Sequence, residues 1–175
     1  TKRFDRIGHK KIHIQTLNGL AHVDYKQTGS YSYEELFATV RKLKLSAYAA
    51  GQLFRRMAFN VVARNHDDHS KNFSFVLDQN NQWQLSPAYD LAYSYKPGSK
   101  WVDQHWLSLN GKRDGFVRGD FYTFQKVSHL FKSKWVDEVI EEVTDAVSQW
   151  PDLAREHGVP KGLIKEVGSN LRLKL

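Results

Sequence analysis

The spacing of apolar and polar positions changes several times along the chain, and each change predicts a different element. Residues 11–17 alternate between polar and apolar side chains, which is typical of a half-buried β-strand. Residues 27–30 have the composition of a loop. From Ser32 the spacing becomes helical, and Ser32 and Glu35 form the capping-box pattern that opens a helix. We expect this helix to run to about residue 43.

A second and more apolar helix is predicted over residues 46–64. Ser46 can serve as its N-cap, and the apolar positions that follow recur with the spacing of one helix face. Since it is the most apolar of the predicted helices, we expect it in the middle of the core. Its other side carries Arg55, Arg56 and Arg64.

Apolar residues then vanish for eight positions, residues 65–72, whose sequence is Asn-His-Asp-Asp-His-Ser-Lys-Asn. Residues 73–77 and 83–85 predict the two strands of a small β-hairpin, because the turn-forming Asp-Gln-Asn-Asn lies between them. Pro87 ends the second of these strands. A further strand is predicted over residues 105–109, before an Asn-Gly turn.

The rest of the chain is predicted to be helical. Three helices are expected, over residues 120–131, 134–149 and 161–173, with Pro151 and the Gly-Val-Pro of residues 158–160 between them. The prediction is therefore a single domain over residues 1–175 of the α+β class. It is mainly helical, with a small β-hairpin between helices.

Composition excludes several classes of protein. Of the 175 residues 41% are apolar, and 5 Trp, 8 Tyr and 10 Phe are too many large side chains for a disordered chain. The absence of cysteine excludes a disulfide scaffold and a thiolate zinc site. No apolar run approaches the roughly 20 residues that span a bilayer, and the polar first residues are unlike a signal peptide. We therefore expect a cytoplasmic protein without a membrane partner.

The charge balance favours an anionic partner. Lys and Arg number 26 against 19 Asp and Glu, which gives a formal net charge of +7. A nucleotide or a nucleic acid would suit this charge. A basic surface that merely faces water has the same composition, so charge alone leaves both interpretations open.

The polar residues 65–72 contain the spacing of a phosphoryl-transfer site. Asp67 and Asn72 are separated by four residues, and Asp90 follows just beyond the hairpin. In protein kinases an Asp handles the proton of the attacking hydroxyl, while an Asn at this spacing and a later Asp give oxygens to Mg²⁺. Asp and Asn at such positions also cap helices and close turns, so the spacing alone leaves both interpretations open.

Four segments around these residues occur together in one order. They are Arg-Phe-Asp-Arg at 3–6, the polar residues 65–72, Leu-Ser-Pro-Ala-Tyr-Asp at 85–90 and Leu-Ser-Leu-Asn-Gly at 107–111. Together they resemble the C-terminal, larger lobe of HipA-family serine/threonine kinases, the toxins of bacterial toxin–antitoxin modules. The resemblance covers nearly the whole chain and is strongest over residues 49–111.

The resemblance implies an enzyme that uses ATP and Mg²⁺. Asp67 would be the catalytic aspartate, and Asn72 and Asp90 would be the Mg²⁺ ligands, carried by the loops that flank the β-hairpin. The sequence departs from the general kinase pattern in two respects. His66 stands where an Arg usually precedes the catalytic Asp, and there is no Asp-Phe-Gly.

The resemblance also implies a nucleotide pocket. Phe4 and Asp5 fall where the hinge of the family meets adenine and ribose, although Lys2 replaces an acidic residue often found before that pair. His69 and Tyr89 lie inside the shared motifs and would line the same pocket. Tyr89 would either pack on the adenine or fill the core.

Partners follow from the same resemblance. The substrate would be a hydroxyl group of a protein, and the family resemblance suggests an aminoacyl-tRNA synthetase as that protein. A second partner would be an antitoxin that binds DNA. The N-terminal lobe of the family carries a phosphate-covering loop, and no Gly-rich phosphate loop occurs in this sequence. We therefore expect residues 1–175 to be a C-terminal lobe that needs the missing N-terminal lobe for activity, because positioning dominates phosphoryl transfer.

Two alternative functions are open at this point. A metal-dependent phosphohydrolase could use the His and Asp residues at positions 66–69 as ligands, together with further ligands from other helices. A non-catalytic nucleic-acid-binding module would bind phosphates through basic helix faces. The residues available for it are Arg41, Lys42, Lys44, Arg55, Arg56 and Arg64.

Overall fold

Helices make up 44% of the computed structural model, which describes residues 3–175, and the predicted α+β class is confirmed. The elements of this part of the chain are β1 (Arg6–Ile7), β2 (Lys10–Lys11), β3 (His13–Thr16), α1 (Leu17–Ala21), α2 (Tyr33–Lys42), α3 (Ala47–Val62), β4 (Ser74–Leu77), β5 (Trp83–Leu85), α4 (Arg118–Tyr122), α5 (Ser133–Ser148), α6 (Trp150–Glu156) and α7 (Lys161–Asn170). Short 3₁₀ turns lie at Ser70–Asn72 and Thr123–Lys126.

Helix α3 lies in the middle of the core, as its apolar face predicts. Ser46 caps it by accepting a hydrogen bond from the Ala49 N–H at 3.2 Å. Phe54 has no exposed surface, and its ring centroid lies 5.1 Å from that of Phe131 and 5.7 Å from that of Phe124. These rings join α3, which also packs along α5, to the C-terminal half of the chain.

The predicted hairpin of β4 and β5 is confirmed, and a third strand extends it. Val76 of β4 faces Gln84 of β5 on one side and Ile14 of β3 on the other, in an antiparallel sheet of order β3-β4-β5. The sheet therefore places the N-terminal segment beside the hairpin. A separate small hairpin of β1 and β2, which the sequence pattern did not predict, precedes it.

The prediction of a strand over residues 105–109 is wrong. The backbone N–H groups of Trp106 and Leu107 donate to the carboxylate of Asp68, at 2.7 and 3.4 Å, instead of to a neighbouring strand. Only isolated bridges involve this part of the described chain, such as the one between Ser32 and Ser108. Its alternating side chains have the composition of a strand, but a buried carboxylate takes the hydrogen bonds.

The helical C-terminal region differs from the predictions in three places. The helix expected over residues 120–131 stops after α4, because the chain turns to bring Phe131 beside Phe124, with ring centroids 5.9 Å apart. Pro151 does not separate helices but occupies the first turn of α6, where a missing N–H costs no hydrogen bond. Helix α7 ends at Asn170, since Arg172 bonds to α3 through its backbone N–H.

Candidate active site

The polar residues 65–72 leave α3 and are largely buried, despite their composition. Arg64 has a φ of 56°, so the chain leaves the helix through a residue in the left-handed region. The buried members of the loop are Asn65, His66, Asp68 and Ser70. The side chain of Asp67, by contrast, is 41% exposed. The loop therefore presents Asp67 to solvent, while the residues on either side of it are buried.

Asp68 anchors this loop to the rest of the fold. Its carboxylate, which has no exposed surface, accepts the Tyr33 hydroxyl at 2.6 Å and the Trp106 N–H at 2.7 Å. The His105 Nδ1 lies 2.8 Å from the same carboxylate, and the Leu107 N–H donates at 3.4 Å. Because protein donors surround both oxygens, the buried charge is satisfied without water.

A chain of buried amides connects this anchor to Asp90. The Asn60 Nδ2 donates to the Tyr33 hydroxyl at 3.0 Å. The Asn65 Nδ2 donates to the Asn60 Oδ1 at 2.9 Å and to the backbone carbonyl of Asp90 at 3.3 Å. Asp90 has a φ of 55°, a conformation that few non-glycine residues adopt. The amide chain thus holds the backbone at Asp90 relative to residues 65–72.

The three residues predicted for phosphoryl transfer lie in one region. The Asn72 Nδ2 donates to the backbone carbonyl of Asp67 at 2.8 Å, which closes the loop and leaves the amide oxygen for another partner. Burial raises the pKa of the Asp67 carboxyl above its ordinary value. His69 opposes this pKa shift, and the negative charges of Asp90 and Asp68 add to it.

Phe4, Asp5 and Tyr89 line one cleft of about 850 Å³, which Asp90 also lines. The ring centroid of Phe4 lies 5.7 Å from that of Tyr89, with the planes at 32°. The Tyr89 hydroxyl donates to the backbone carbonyl of Lys71 at 2.6 Å. Since its ring is only half buried, Tyr89 forms a wall of this cleft and is not part of the core.

His69 lies apart from the other predicted pocket residues. Its Nε2 is 3.7 Å from the Asp67 Oδ1, but the residue does not line the cleft of Phe4 and Tyr89. Its ring instead makes edge contacts with Tyr25 and Trp106, with centroids 6.1 and 6.0 Å away. The structure thus places His69 against Asp67 and the aromatic side chains. The resemblance had implied a position in the nucleotide pocket.

The metal-centre alternative finds no support in residues 3–175. Within that range no three His, Cys, Asp or Glu side chains gather where they could hold a metal ion. Asp68 is one of the ligands that this alternative requires, but its carboxylate already accepts hydrogen bonds from protein donors. A site of Asn72, Asp90 and triphosphate oxygens is a different arrangement, because the nucleotide supplies part of the coordination.

Three of the six basic residues named for nucleic-acid binding are engaged by the protein itself. The Arg55 Nη2 donates to Glu142 at 2.9 Å, and the Arg64 Nε donates to the Asn170 carbonyl at 2.9 Å. Arg56 donates to the carbonyl of Ser86. These three guanidinium groups serve internal contacts, whereas Arg41, Lys42 and Lys44 are exposed.

Comparison with known proteins decides the family. The family model described as HipA-like C-terminal domain matches residues 1–150, which is most of the chain. The chain belongs to the HipA-like C-terminal domain family. The resemblance inferred from the four sequence segments is thereby confirmed.

Curated relatives carry kinase names. The Sinorhizobium fredii protein "Putative kinase Y4dM" is 32% identical over 93 residues, which cover 51% of this chain and 22% of that protein. A Haemophilus influenzae protein with the same general name is 23% identical over 99% of this chain and 57% of its own length. The chain therefore spans only part of the length of these relatives.

A solved structure confirms the fold. HipA of Shewanella oneidensis MR-1, in its complex with HipB and operator DNA, matches with a TM-score of 0.74 at 16% sequence identity. The match covers 96% of this chain and 45% of that HipA chain.

Across the described residues 3–175, every helix is too short or too polar to cross a membrane.

Sequence reasoning missed the residues that hold the site in place. The sequence pattern indicates no role for Asn60, Asn65 or Tyr33, and it offers Asp68 only as a metal ligand. One signal was present, because Asn60 lies within the otherwise apolar Ala-Phe-Asn-Val-Val of α3. A polar side chain on a buried helix face needs a hydrogen-bond partner, and this rule would have pointed to the network.

Proposed function

We propose that the chain is the catalytic lobe of a HipA-like protein kinase, which transfers the γ-phosphoryl group of ATP to a serine or threonine hydroxyl. The observation that carries the proposal is the gathering of Asp67, Asn72 and Asp90 beside one cleft. Membership of the HipA-like C-terminal domain family and the kinase names of the relatives support it.

The donor set of this region suits Mg²⁺. The amide nitrogen of Asn72 donates to the Asp67 carbonyl, so the amide oxygen is the atom that can bind a ligand. Asp90 is exposed, and the amide of Asn65 holds its backbone. Oxygen ligands of this kind are those that Mg²⁺ prefers. The ion, when bound, would neutralise charge that develops on the phosphates.

Asp67 is the group that we expect to receive the proton of the attacking hydroxyl. The hydroxyl oxygen forms a bond to the γ-phosphorus, the bond to the β–γ bridging oxygen breaks, and ADP leaves while the proton passes to the Asp67 carboxylate. Burial and the neighbouring Asp90 raise the pKa of Asp67, which makes it a better proton acceptor than an ordinary Asp.

The cleft of Phe4 and Tyr89 is the proposed nucleotide site. Its two aromatic walls suit a flat base, and Asp5 would face the ribose after exchanging its contact with Arg3. The hydrogen bond from Tyr89 to the Lys71 carbonyl ties this wall to the loop that carries Asp67. The base and the reacting phosphate would therefore be positioned by one connected structure.

The rest of the functional proposal concerns the natural protein. We propose that residues 1–175 form one lobe, that an N-terminal lobe closes over the nucleotide cleft, and that a DNA-binding antitoxin is the partner. The Shewanella HipA chain, of which this chain covers 45%, occurs with HipB and operator DNA, which supports such a partner. Aminoacyl-tRNA synthetases as substrates and a cytoplasmic location follow from the family resemblance.

The test is the Asp67→Asn variant of the natural full-length protein. Transfer of ³³P from labelled ATP to protein should fall by about 10²–10⁴-fold, the usual contribution of a positioned proton acceptor. ATP binding should be retained, because the cleft residues are unchanged. Asp145→Asn, an exposed carboxylate on α5, is the matched control and should keep the wild-type rate. Transfer by Asp67→Asn at a near wild-type rate would reject the proposal.

A further inference from the structure

Four rings form a continuous series that passes beside Asp67 and ends at an exposed indole. They are Tyr25, His69, Trp106 and Trp101, which we call the aromatic ladder. Successive ring centroids lie 6.1, 6.0 and 6.0 Å apart, and the two indole planes are stacked at 10°. Trp106 is 6% exposed, whereas Trp101 is 55% exposed. The ladder thus ends in a large aromatic surface open to a partner.

The aromatic ladder meets the proposed catalytic group on a side that the nucleotide cleft does not use. The His69 Nε2 lies 3.7 Å from the Asp67 Oδ1, and no ring of the ladder lines the cleft of Phe4 and Tyr89. In phosphoryl transfer the acceptor oxygen and the leaving oxygen lie on opposite sides of the phosphorus. The molecule that supplies the hydroxyl must therefore approach from outside the nucleotide cleft.

Two lysines give the ladder a positive charge at each end. The Lys71 Nζ lies 3.2 Å from the ring centroid of Tyr25, and the Lys100 Nζ lies 5.1 Å from that of Trp101. The aromatic faces hold both cations in place. Of the neighbouring carboxylates, those of Asp24 and Asp103 accept backbone N–H groups at 2.9 Å.

The ladder also has hydrogen-bonding capacity that the fold does not use. Within residues 3–175, the indole N–H of Trp106 and the Nδ1 of His69 have no hydrogen-bond partner, although both atoms are buried. Buried polar atoms nearly always have one. Both residues line the same small pocket with Tyr25. A polar segment that settles on this wall could pair with them after a small side-chain movement.

We propose that the aromatic ladder is the docking surface for the phosphoacceptor segment of a protein substrate. The segment would carry an apolar or aromatic side chain that packs on Trp101, and an acidic side chain that meets Lys71 or Lys100. This inference rests on the proposed kinase function. A nucleic-acid strand is a poorer occupant, because it needs a groove of cations along its backbone, and the ladder offers one open ring and two lysines.

The first experiment uses a positional-scanning library of serine-centred peptides with labelled ATP and the full-length protein. Wild type should select aromatic or aliphatic residues beside the serine and acidic residues further along. Trp101→Ala should raise the KM for the best peptide about tenfold or more, as loss of an exposed aromatic anchor does, and should leave the KM for ATP unchanged. Lys100→Glu should replace the acidic preference with a basic one.

The matched control is Tyr48→Ala, which removes an aromatic side chain that is 77% exposed and lies outside the ladder. It should leave both KM values unchanged. Equal peptide selection and equal KM values in wild type and Trp101→Ala would overturn the docking proposal, even if the enzyme phosphorylates peptides efficiently.

A binding experiment separates this proposal from the kinase proposal. Fluorescence anisotropy of the labelled peptide pool is measured with Asp67→Asn protein, with and without the Trp101→Ala change. Binding that depends on Trp101 would support the ladder whether or not the wild-type protein transfers phosphate. Absence of transfer by the wild-type full-length protein would reject the kinase function alone. Absence of peptide binding, or displacement of the peptides by a single-stranded 20-nucleotide thymidine oligomer, would overturn the ladder as a polypeptide site.

Discussion

At the scale of single residues, two adjacent carboxylates have opposite environments. Asp67 is partly exposed and meets one histidine, and the burial it does have raises its pKa. Asp68 is fully buried and surrounded by donors from Tyr33, His105 and the backbone of Trp106. The first carboxylate is therefore suited to proton transfer, and the second is suited to holding the loop.

This difference predicts opposite effects of substitution at the two positions. Asp68→Ala should lower the free energy of unfolding by about 3–5 kcal/mol, because it leaves several buried donors without a partner. Asp67→Asn should change the free energy of unfolding by less than about 0.5 kcal/mol, since it removes no buried partner. Urea denaturation of both variants is the measurement. Equal losses of stability would contradict the division of roles.

A second prediction at the residue scale concerns Asn65, whose amide holds the Asp90 carbonyl. Asn65→Ala should raise the Mg²⁺ concentration needed for half-maximal transfer, because Asp90 would lose the support that fixes its backbone. Titration of activity with MgCl₂ measures this. Asn80→Ala, in the exposed turn of the hairpin, should leave the Mg²⁺ requirement unchanged. A variant that loses activity with an unchanged Mg²⁺ requirement would argue against this positioning role.

At the scale of elements, the start of α2 supports the site from a distance. The Ser32 hydroxyl accepts the Glu35 N–H at 3.1 Å, and the Glu35 carboxylate accepts the Ser32 N–H at 2.8 Å. Tyr33, the next residue, is the one that donates to Asp68. The capping box therefore fixes both the start of the helix and the position of Tyr33, whose hydrogen bond anchors residues 65–72.

Ser32→Ala should lower the free energy of unfolding by about 1 kcal/mol, which is typical for the loss of an N-cap. Chemical denaturation of the purified chain measures the effect. Ser169→Ala, whose exposed hydroxyl bonds only within the last turn of α7, is the control and should be close to neutral. Equal stability of Ser32→Ala and wild type would show that the cap contributes nothing to α2.

At the scale of the whole molecule, His66 makes the fold sensitive to acid. Burial is the main reason that the pKa of His66 falls from 6.5 to about 2, and the neighbouring His105, Arg172 and Arg64 contribute to the same shift. Its ring is enclosed between Tyr95 and His105, with centroids 4.8 and 4.1 Å away. His66 is therefore harder to protonate in the folded state than in the unfolded chain.

The sign of the pH effect follows from this difference in pKa. The contribution of neutral His66 to stability is fully present above pH 6.5, and it declines as the pH falls towards 2. The loss should be roughly 1.4 kcal/mol for each pH unit below about 6.5. Denaturation at pH 5 and pH 8 should show a smaller pH dependence in His66→Gln. The exposed His157→Gln should behave as wild type, and an unchanged slope in His66→Gln would refute the assignment.

The sequence by itself determined the elements whose signals are local. The capping box at Ser32, the N-cap at Ser46, the turn of the β4–β5 hairpin and the central position of α3 were all predicted. Each of these depends on residues a few positions apart, so the interactions that stabilise them can be recognised in the order of the residues. The family was also recognised, because its motifs are short and contiguous.

Only the tertiary structure decided which polar residues are buried and what they face. Asp68 and Trp106 are 38 positions apart, and their hydrogen bond turns a predicted strand into irregular backbone. His69 and Tyr89 belong to neighbouring motifs, yet they face different surfaces. A side chain's partners across the core depend on how the elements pack. The spacing of Asp67, Asn72 and Asp90 predicts the roles proposed for them, whereas only the fold shows the long-range hydrogen bonds that hold residues 65–72 and the backbone at Asp90 in place.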